Sequence, residues 1–301
     1  MSTATLDTRA DENEWIWDSF QYHSRTFSLA ARFLPRPVQM PIATLYLFCR
    51  RVDSIADQRV LEVGPEQALE EVNTVRDHLD ATLAGRPPPD EVLWRRLGEV
   101  HERYDLHREP LEELIEGAVW DLKDRPIRTP QDLIDYSNLV GGSVGAMMLP
   151  FLSDTADFDA LETAARELGI AMQLTNIVRD VGEDIAELDR VYLPTDWMEA
   201  HGISRAVLDE GRCVDGYDAL LERAMTAAET RYRNSYDGIA SLPLRTRVGI
   251  RAAARMYREI LNEVRANEYD NLNRRAYVSF GRKLLLVAVD NYDWRKARLR
   301  A

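Results

Sequence analysis

Cysteine is nearly absent from this chain: Cys49 and Cys213 are the only two in 301 residues. Two thiols cannot build the disulfide framework of a small secreted fold, so a reduced, cytoplasmic protein is expected. Histidine is scarce too, five in all. His101 and His107, in HERYDLH, stand six apart and off a common helical face, so they read as solvated side chains and not as zinc ligands. No run of about 18 apolar residues occurs, and no transmembrane helix is expected. The N-terminus, MSTATLDTRADENEW, lacks the basic segment and apolar core of a signal peptide. Excess positive charge is also missing. A net charge of −13 argues against a nucleic-acid partner and against simple electrostatic attachment to anionic lipid. The one basic tail, WRKARLR, reads as solvated, with peripheral contact at a membrane surface as the alternative. No G-x-G-x-x-G unit is present, which gives no support to a bound dinucleotide.

Strand signals are few and short, and helical periodicity takes their place. Residues 11–33 read as one helix stopped by LPRP, and 38–58 as a second. A third, over 66–84, ends at the prolines of AGRPPPDE. Helices over 90–104 and 109–123 are followed by a break at DRPIRTP. Thr129 is the expected N-cap of the next helix, with Pro130 at its first position. That helix runs on through YSNLVGGSVGAMMLP, and helices over 157–186, 215–239, 244–267 and 278–296 complete the set. The expectation is an all-α chain of about ten helices. No linker is long enough to divide it, so residues 1–301 read as a single domain, with 1–12 as a flexible N-terminal tail. Gly141, Gly142 and Gly145 lie in an apolar helix. They suit close helix packing or a broken helix, and the two readings are compatible.

Two stretches carry the chemistry. On a helix wheel Asp57 falls about 40° from Asp53, and Ile42, Tyr46, Cys49 and Arg50 lie within about 60° of it. The stripe that should face inward is thus the acidic one, and two uncompensated carboxylates there are costly. Arg50 can neutralise one of them and a divalent cation both. An exposed helix end would also explain the pair taken alone. Cys49 reads as a small apolar wall residue. In GIAMQLTNIVRDVGED the same construction gathers Gln173, Asn176, Glu183 and Asp184 within about 60° of Asp180. Amide and carboxylate oxygens on one stripe, with no His or Cys beside them, suit Mg²⁺ or Mn²⁺ bound together with substrate phosphates.

Taken in order, YHSRTFSLAARFLP, LYLFCRRVDSIAD, LIEGAVWDL, YSNLVGGSVGAMM, QLTNIVRDVGED, RVYLP and ANEYDNLNRR resemble the squalene/phytoene synthase family over roughly residues 15–295. The resemblance implies an isoprenoid-synthase-type all-α bundle around a deep apolar cavity. It implies Mg²⁺-dependent head-to-head coupling of two prenyl diphosphates through a cyclopropylcarbinyl diphosphate. By motif position the metal ligands would be Asp53, Asp57, Asn176, Asp180 and Asp184, the four aspartates also being the catalytic residues. His23, Ser24, Arg25 and Thr26 match the diphosphate-binding stretch. Tyr46, Arg50, Gln173, Arg179 and Tyr269 match substrate-contacting positions, and Arg190 and Tyr192 belong to a flap. Phe27, Tyr46 and Tyr136 offer aromatic faces to passing cations, although core packing explains each as well.

The wording is most like bacterial phytoene synthases acting on geranylgeranyl diphosphate. A version using farnesyl diphosphate is the alternative, and a helical scaffold with incidental acidic faces is the alternative of another class. NADPH is not expected. Two departures stand out. Ser54 replaces the second of the usual doubled aspartates, about 100° off the acidic stripe. The segment IAELD, between Asp184 and Arg190, is one residue longer than usual and lacks the usual glycine.

Overall fold

The computed structural model describes residues 9–152, 158–283 and 285–286. The helices are α1 (Arg9–His23), α2 (Arg25–Ala31), α3 (Arg36–Ser54), α4 (Val60–Val63) and α5 (Pro65–Leu83). There follow α6 (Val92–Tyr104), α7 (Arg108–Leu122), α8 (Pro130–Ser137), α9 (Ser143–Met147) and α10 (Leu149–Leu152). The last are α11 (Phe158–Leu188), α12 (Thr195–Ala200), α13 (Arg205–Asp209), α14 (Tyr217–Ser241) and α15 (Leu244–Ala266). Two π-helical turns, Ile55–Arg59 and Asn138–Gly142, interrupt the set. Among the described residues no strand occurs, and no helix is long and apolar enough to cross a membrane. The fold is all-α. The expected tail falls mostly outside the described residues. Arg9 to Glu12 already belong to α1, and Arg9 is paired with Glu99 at 2.7 Å. The basic tail WRKARLR and the end of the helix expected over 278–296 lie outside the described residues.

The described residues group into two compact units. The first takes the chain up to Lys123, the segment from Met147 to Leu152, and Leu242–Gly249. Here α3 packs on α1, α6 and α7, and α5 packs on α6 and α7. Phe48 and Trp94 meet edge to face at 6.1 Å among the fully buried Leu45, Leu79, Leu111 and Leu114. The helix expected over 11–33 is cut at Ser24. That residue is extended (φ −146°, ψ 100°), and its Oγ accepts the Phe27 N–H at 3.2 Å. A serine hydroxyl competes for backbone donors in this way, and here it ends one helix and caps the next. Pro41 sits inside α3 and has no N–H for the carbonyl of Pro37. The Tyr104 hydroxyl of α6 donates to that oxygen at 3.3 Å.

The second unit holds the rest of the described chain. The long α11 packs along α14 and against the π turn 138–142. Thr129 caps α8 in a reciprocal capping box with Asp132, and Pro130 stands in the first turn, as its sequence implied. The helix expected to run on from α8 widens into the π turn Asn138–Gly142 before α9, and the glycines serve close packing. A Cβ on Gly141 would lie 2.5 Å from the Gly169 carbonyl oxygen, and one on Gly169 would land on the Gly141 carbonyl oxygen. The two backbones cross with no side chain between them. The short α12 and α13 were not anticipated. Six and five residues give too little periodicity to read, although Ser204 is a recognisable cap for α13.

Alanine normally outranks glycine in a helix by about 1 kcal/mol. At Gly169 the sign should reverse, because the added carbon displaces backbone; Gly169→Ala is expected to lose about 1–3 kcal/mol. The control is Gly98→Ala, whose Cβ would meet nothing nearer than Pro87 at 3.5 Å. It should be neutral or slightly stabilising in the same urea melts.

Candidate active site

In the first unit the acid group sits where α3 passes into the π turn. Asp53 belongs to the last regular turn of α3, and Asp57 belongs to the π turn itself. The regular 100° step therefore stops short of Asp57, yet the two carboxylates remain neighbours. Burial, with the charge of Asp57 next in weight, pushes the Asp53 carboxyl up to about 7. Arg50 pulls the other way, and Asp121 of α7 adds further repulsion. Asp121 is a residue that the wheel argument missed. It stands in VWDL on another helix, where no spacing rule relates it to Asp53. Arg59 fastens the π turn by pairing with Glu71 at 2.7 Å and with Glu62. The Ser54 hydroxyl donates to the Arg50 carbonyl at 2.7 Å. It thus serves the helix backbone and not the acids, consistent with its off-stripe position.

Arg50 itself carries the most telling atom of this group. Its Nε is buried and has no hydrogen-bond partner among the described residues. Such a donor costs free energy until an acceptor arrives. His23, held below its ordinary pKa first by burial and then by the Arg50 charge, is neutral at pH 7. Ser24 is spent on the cap, Arg25 is exposed and Thr26 is half-buried. The Tyr46 ring lies against Phe20 at 4.8 Å and Phe27 at 6.1 Å, an aromatic cluster beside the acidic stripe. Cys49 is buried as a thiol, its pKa raised by burial and by Asp53, with Sγ 3.8 Å from the Met147 sulfur.

In the second unit α11 divides as its sequence suggests. Ile170, Leu174, Ile177 and Val178 are buried, and Gln173, Asn176, Asp180, Glu183 and Asp184 form a half-buried stripe. Asn176 donates to Gln173 at 3.3 Å, while its own Oδ1 is buried with no hydrogen-bond partner. Asp180 is gripped by the Arg179 guanidinium, with Nε to Oδ1 at 2.7 Å. Burial opposes the charge of Arg179, but the Asp180 contact outweighs it and the guanidinium is held well above its ordinary pKa. Arg275, from the segment after α15, also reaches Asp180 at 2.9 Å and Glu183 at 3.1 Å. Arg275 lies in the ANEYDNLNRR motif, from which only Tyr269 was singled out. Tyr269 turns the other way, its hydroxyl donating to Glu222 at 2.9 Å beside Arg265.

The segment that carries Arg190 and Tyr192 departs from α11 at Asp189. This residue takes the left-handed conformation (φ 56°), which glycine adopts most readily and aspartate tolerates. α11 runs to Leu188, and Asp189 makes the turn that follows it. The Arg190 N–H then donates to the Asp184 carbonyl at 3.1 Å, and its guanidinium reaches the Tyr192 hydroxyl at 3.5 Å. Tyr192 stacks on Tyr136 of α8, rings 4.9 Å apart and 19° from parallel.

These residues suit a divalent cation bound with a phosphate ester. Among the described residues no three His, Cys, Asp or Glu side chains are already gathered around a metal-sized gap. The donors come instead as oxygens in pairs, the arrangement of Mg²⁺ sites that draw remaining ligands from water and substrate phosphate. The orphaned Asn176 oxygen is an acceptor awaiting a cation, and the orphaned Arg50 nitrogen a donor awaiting an anion.

Residues 20–282 match the profile described as squalene/phytoene synthase. The chain belongs to the squalene/phytoene synthase family. It is 41% identical to the phytoene synthase of Rhodobacter capsulatus over 88% of this chain and 76% of that protein. It is 36% identical to the phytoene synthase of Thermus thermophilus over 88% and 87% of the two chains. Its fold follows that of a dehydrosqualene synthase solved with a ligand, with a TM-score of 0.85 and 30% identity over 95% and 98% of the chains. For a family member the raised Asp53 has a measurable consequence. Its folded-state pKa lies above the ordinary value near 4, so the folded chain holds a proton that the unfolded chain releases. The resulting cost grows as pH rises from about 4 to about 7 and stays in full above that window. In thermal melts with chelator at pH 8, Asp53→Asn is expected to unfold several degrees above the wild type, the two converging toward pH 4.

Proposed function

We propose that this protein joins two molecules of geranylgeranyl diphosphate head to head, giving phytoene for carotenoid biosynthesis. It is a prenyltransferase. The observation that carries the substrate class is the pair of orphaned atoms: a buried Arg50 donor beside Asp53 and Asp57, and a buried Asn176 acceptor beside Asp180 and Asp184. Under this reading the two units work as one coupling domain around an apolar cavity, and the two acid groups serve one site. Asp53, Asp57, Asn176, Asp180 and Asp184 would hold Mg²⁺, with Mn²⁺ able to replace it. Such ions, when bound, neutralise diphosphate and so make it a leaving group.

The chain's own groups do the rest. Arg50 and Arg179 supply fixed positive charge for phosphate oxygens, with Gln173 as a nearby amide. Neutral His23 and the adjacent Ser24, Arg25 and Thr26 line the phosphate approach. Tyr46 and Tyr192 present aromatic faces to transient carbocations, and water is kept out by the apolar wall that includes Cys49. Arg190 and Tyr269 complete the substrate-contacting set. Joining the chains 1–1′ releases two diphosphates and two carbon-bound protons, one as the cyclopropane closes and one from the final cation, so the ending as phytoene consumes no NADPH. Long hydrocarbon products make a peripheral membrane contact part of the reading. A second reading, the farnesyl diphosphate version, is favoured by the likeness to the dehydrosqualene synthase.

The deciding experiment incubates the protein with Mg²⁺ and each prenyl diphosphate, with and without NADPH, and identifies the extracted hydrocarbon. Phytoene from the geranylgeranyl substrate without NADPH is expected. Asp53→Asn and Asp180→Asn should each lose at least about 10²-fold in turnover while melting as folded proteins. Near-wild-type turnover in both would leave a scaffold with incidental acidic faces. Asn176→Ala should raise the Mg²⁺ concentration for half-maximal rate by about tenfold, the loss of one ligand.

A further inference from the structure

Helix α15 ends in an unusual turn. Glu268 and Tyr269 are both left-handed (φ 56° and 61°), a conformation that costs each non-glycine residue about 1 kcal/mol or more. Such a turn persists only where its surroundings hold it. The holding residue is Asn271, buried to 4% exposure. Its amide oxygen accepts from the buried Tyr217 hydroxyl of α14 at 2.6 Å. Its amide nitrogen donates to the carbonyl of Val178, and its backbone carbonyl accepts from the N–H of Gly182 at 3.2 Å. Val178 and Gly182 are the i and i+4 partners of one turn of α11, the turn that bears Arg179 and Asp180. Asn271 therefore grips both ends of that turn from outside. Gly182 is what lets it come so close, because a Cβ there would land on the Leu272 carbonyl oxygen.

Other ties of the segment lead elsewhere. Tyr269 goes to Glu222, and Asn273 goes to the Gly211 carbonyl at 2.9 Å. Asn271 alone among these bonds the acid-bearing helix, four residues before Arg275 contacts Asp180 and Glu183. We propose that Asn271 is a positioning residue, which registers the segment after α15 against the 178–182 turn and so sets the Arg275 guanidinium over the second acid group. Its consequence for substrate rests on the diphosphate-coupling reading: a correctly placed Arg275 is the cation that meets a phosphate brought to Asp180.

The test measures binding of inorganic pyrophosphate with Mg²⁺ by calorimetry and, separately, the KM for geranylgeranyl diphosphate. Asn271→Ala should weaken both by about tenfold or more, as misplacement of a binding group does. Tyr217→Phe removes one hydrogen bond and should weaken both by about threefold. In an Arg275→Gln background, Asn271→Ala should add nothing further, which a general loss of packing would not reproduce. Unchanged affinity in Asn271→Ala, or full additivity with Arg275→Gln, overturns the proposal. If circular dichroism shows Asn271→Ala unfolded, Tyr217→Phe decides: weakened binding supports the proposal and wild-type binding overturns it. A wild type that binds no Mg²⁺–pyrophosphate also overturns it. A wild type that binds it but couples neither prenyl diphosphate refutes the coupling reading, while the variant affinities still judge Asn271.

Discussion

Repulsion between carboxylates on half-buried helical stripes is the constraint to which the rest of the site answers. Each unit meets it differently. Burial, with the charge of Asp57 next in weight, makes Asp53 hold its proton into the neutral range against the pull of Arg50. Asp180 lies in the grip of Arg179 and Arg275. A proton and an arginine are both replaceable counter-charges. The first leaves as a cation approaches, and the second can swing from carboxylate to phosphate without leaving the site. The group with the protonated acid is thus suited to receive a cation, and the group with two arginines to receive a cation and an anion together.

Part of this charged set rests on backbone that ordinary helices do not supply, although Asp180 and Asp184 stand on the regular α11. The π turn after α3 carries Asp57 and is fastened by Arg59 to Glu62 and Glu71. The end of α11 is turned by a left-handed Asp189, and the end of α15 by Glu268 and Tyr269. Each of these three lies next to a candidate site residue, while the long regular stretches of α5, α6, α7 and α14 carry the core. Irregular backbone of this kind persists where surrounding contacts over-determine it, and it commonly clusters at functional positions.

What the sequence made legible follows from the range of its signals. Periodicity places the long helices within a few residues, because an apolar stripe repeats over many turns. It also identifies the α11 stripe, since Gln173, Asn176, Asp180 and Asp184 lie on one uninterrupted helix. It fails where one residue changes the local rule: Ser24 splitting a helix, or Ile55–Arg59 widening a turn. It fails again for contacts between distant segments. Asp121 beside Asp53, Arg275 on Asp180 and Tyr104 on the Pro37 carbonyl are separated by tens of residues from their partners, and no spacing links them. Tyr269 and Arg275 illustrate the limit within a single motif, where the sequence cannot say which side chain turns toward the acids.

The crossing of Gly141 with Gly169 bears on how such a protein can diversify. Where two elements touch through side chains, evolution can trim one and lengthen the other, and so admit a longer or shorter ligand. Where both are already glycine, nothing remains to trim and anything added forces the elements apart. That junction is therefore a fixed hinge point in sequence space. Changes in packing near this junction must be recorded at positions where α8 or α11 still presents side chains that can be exchanged.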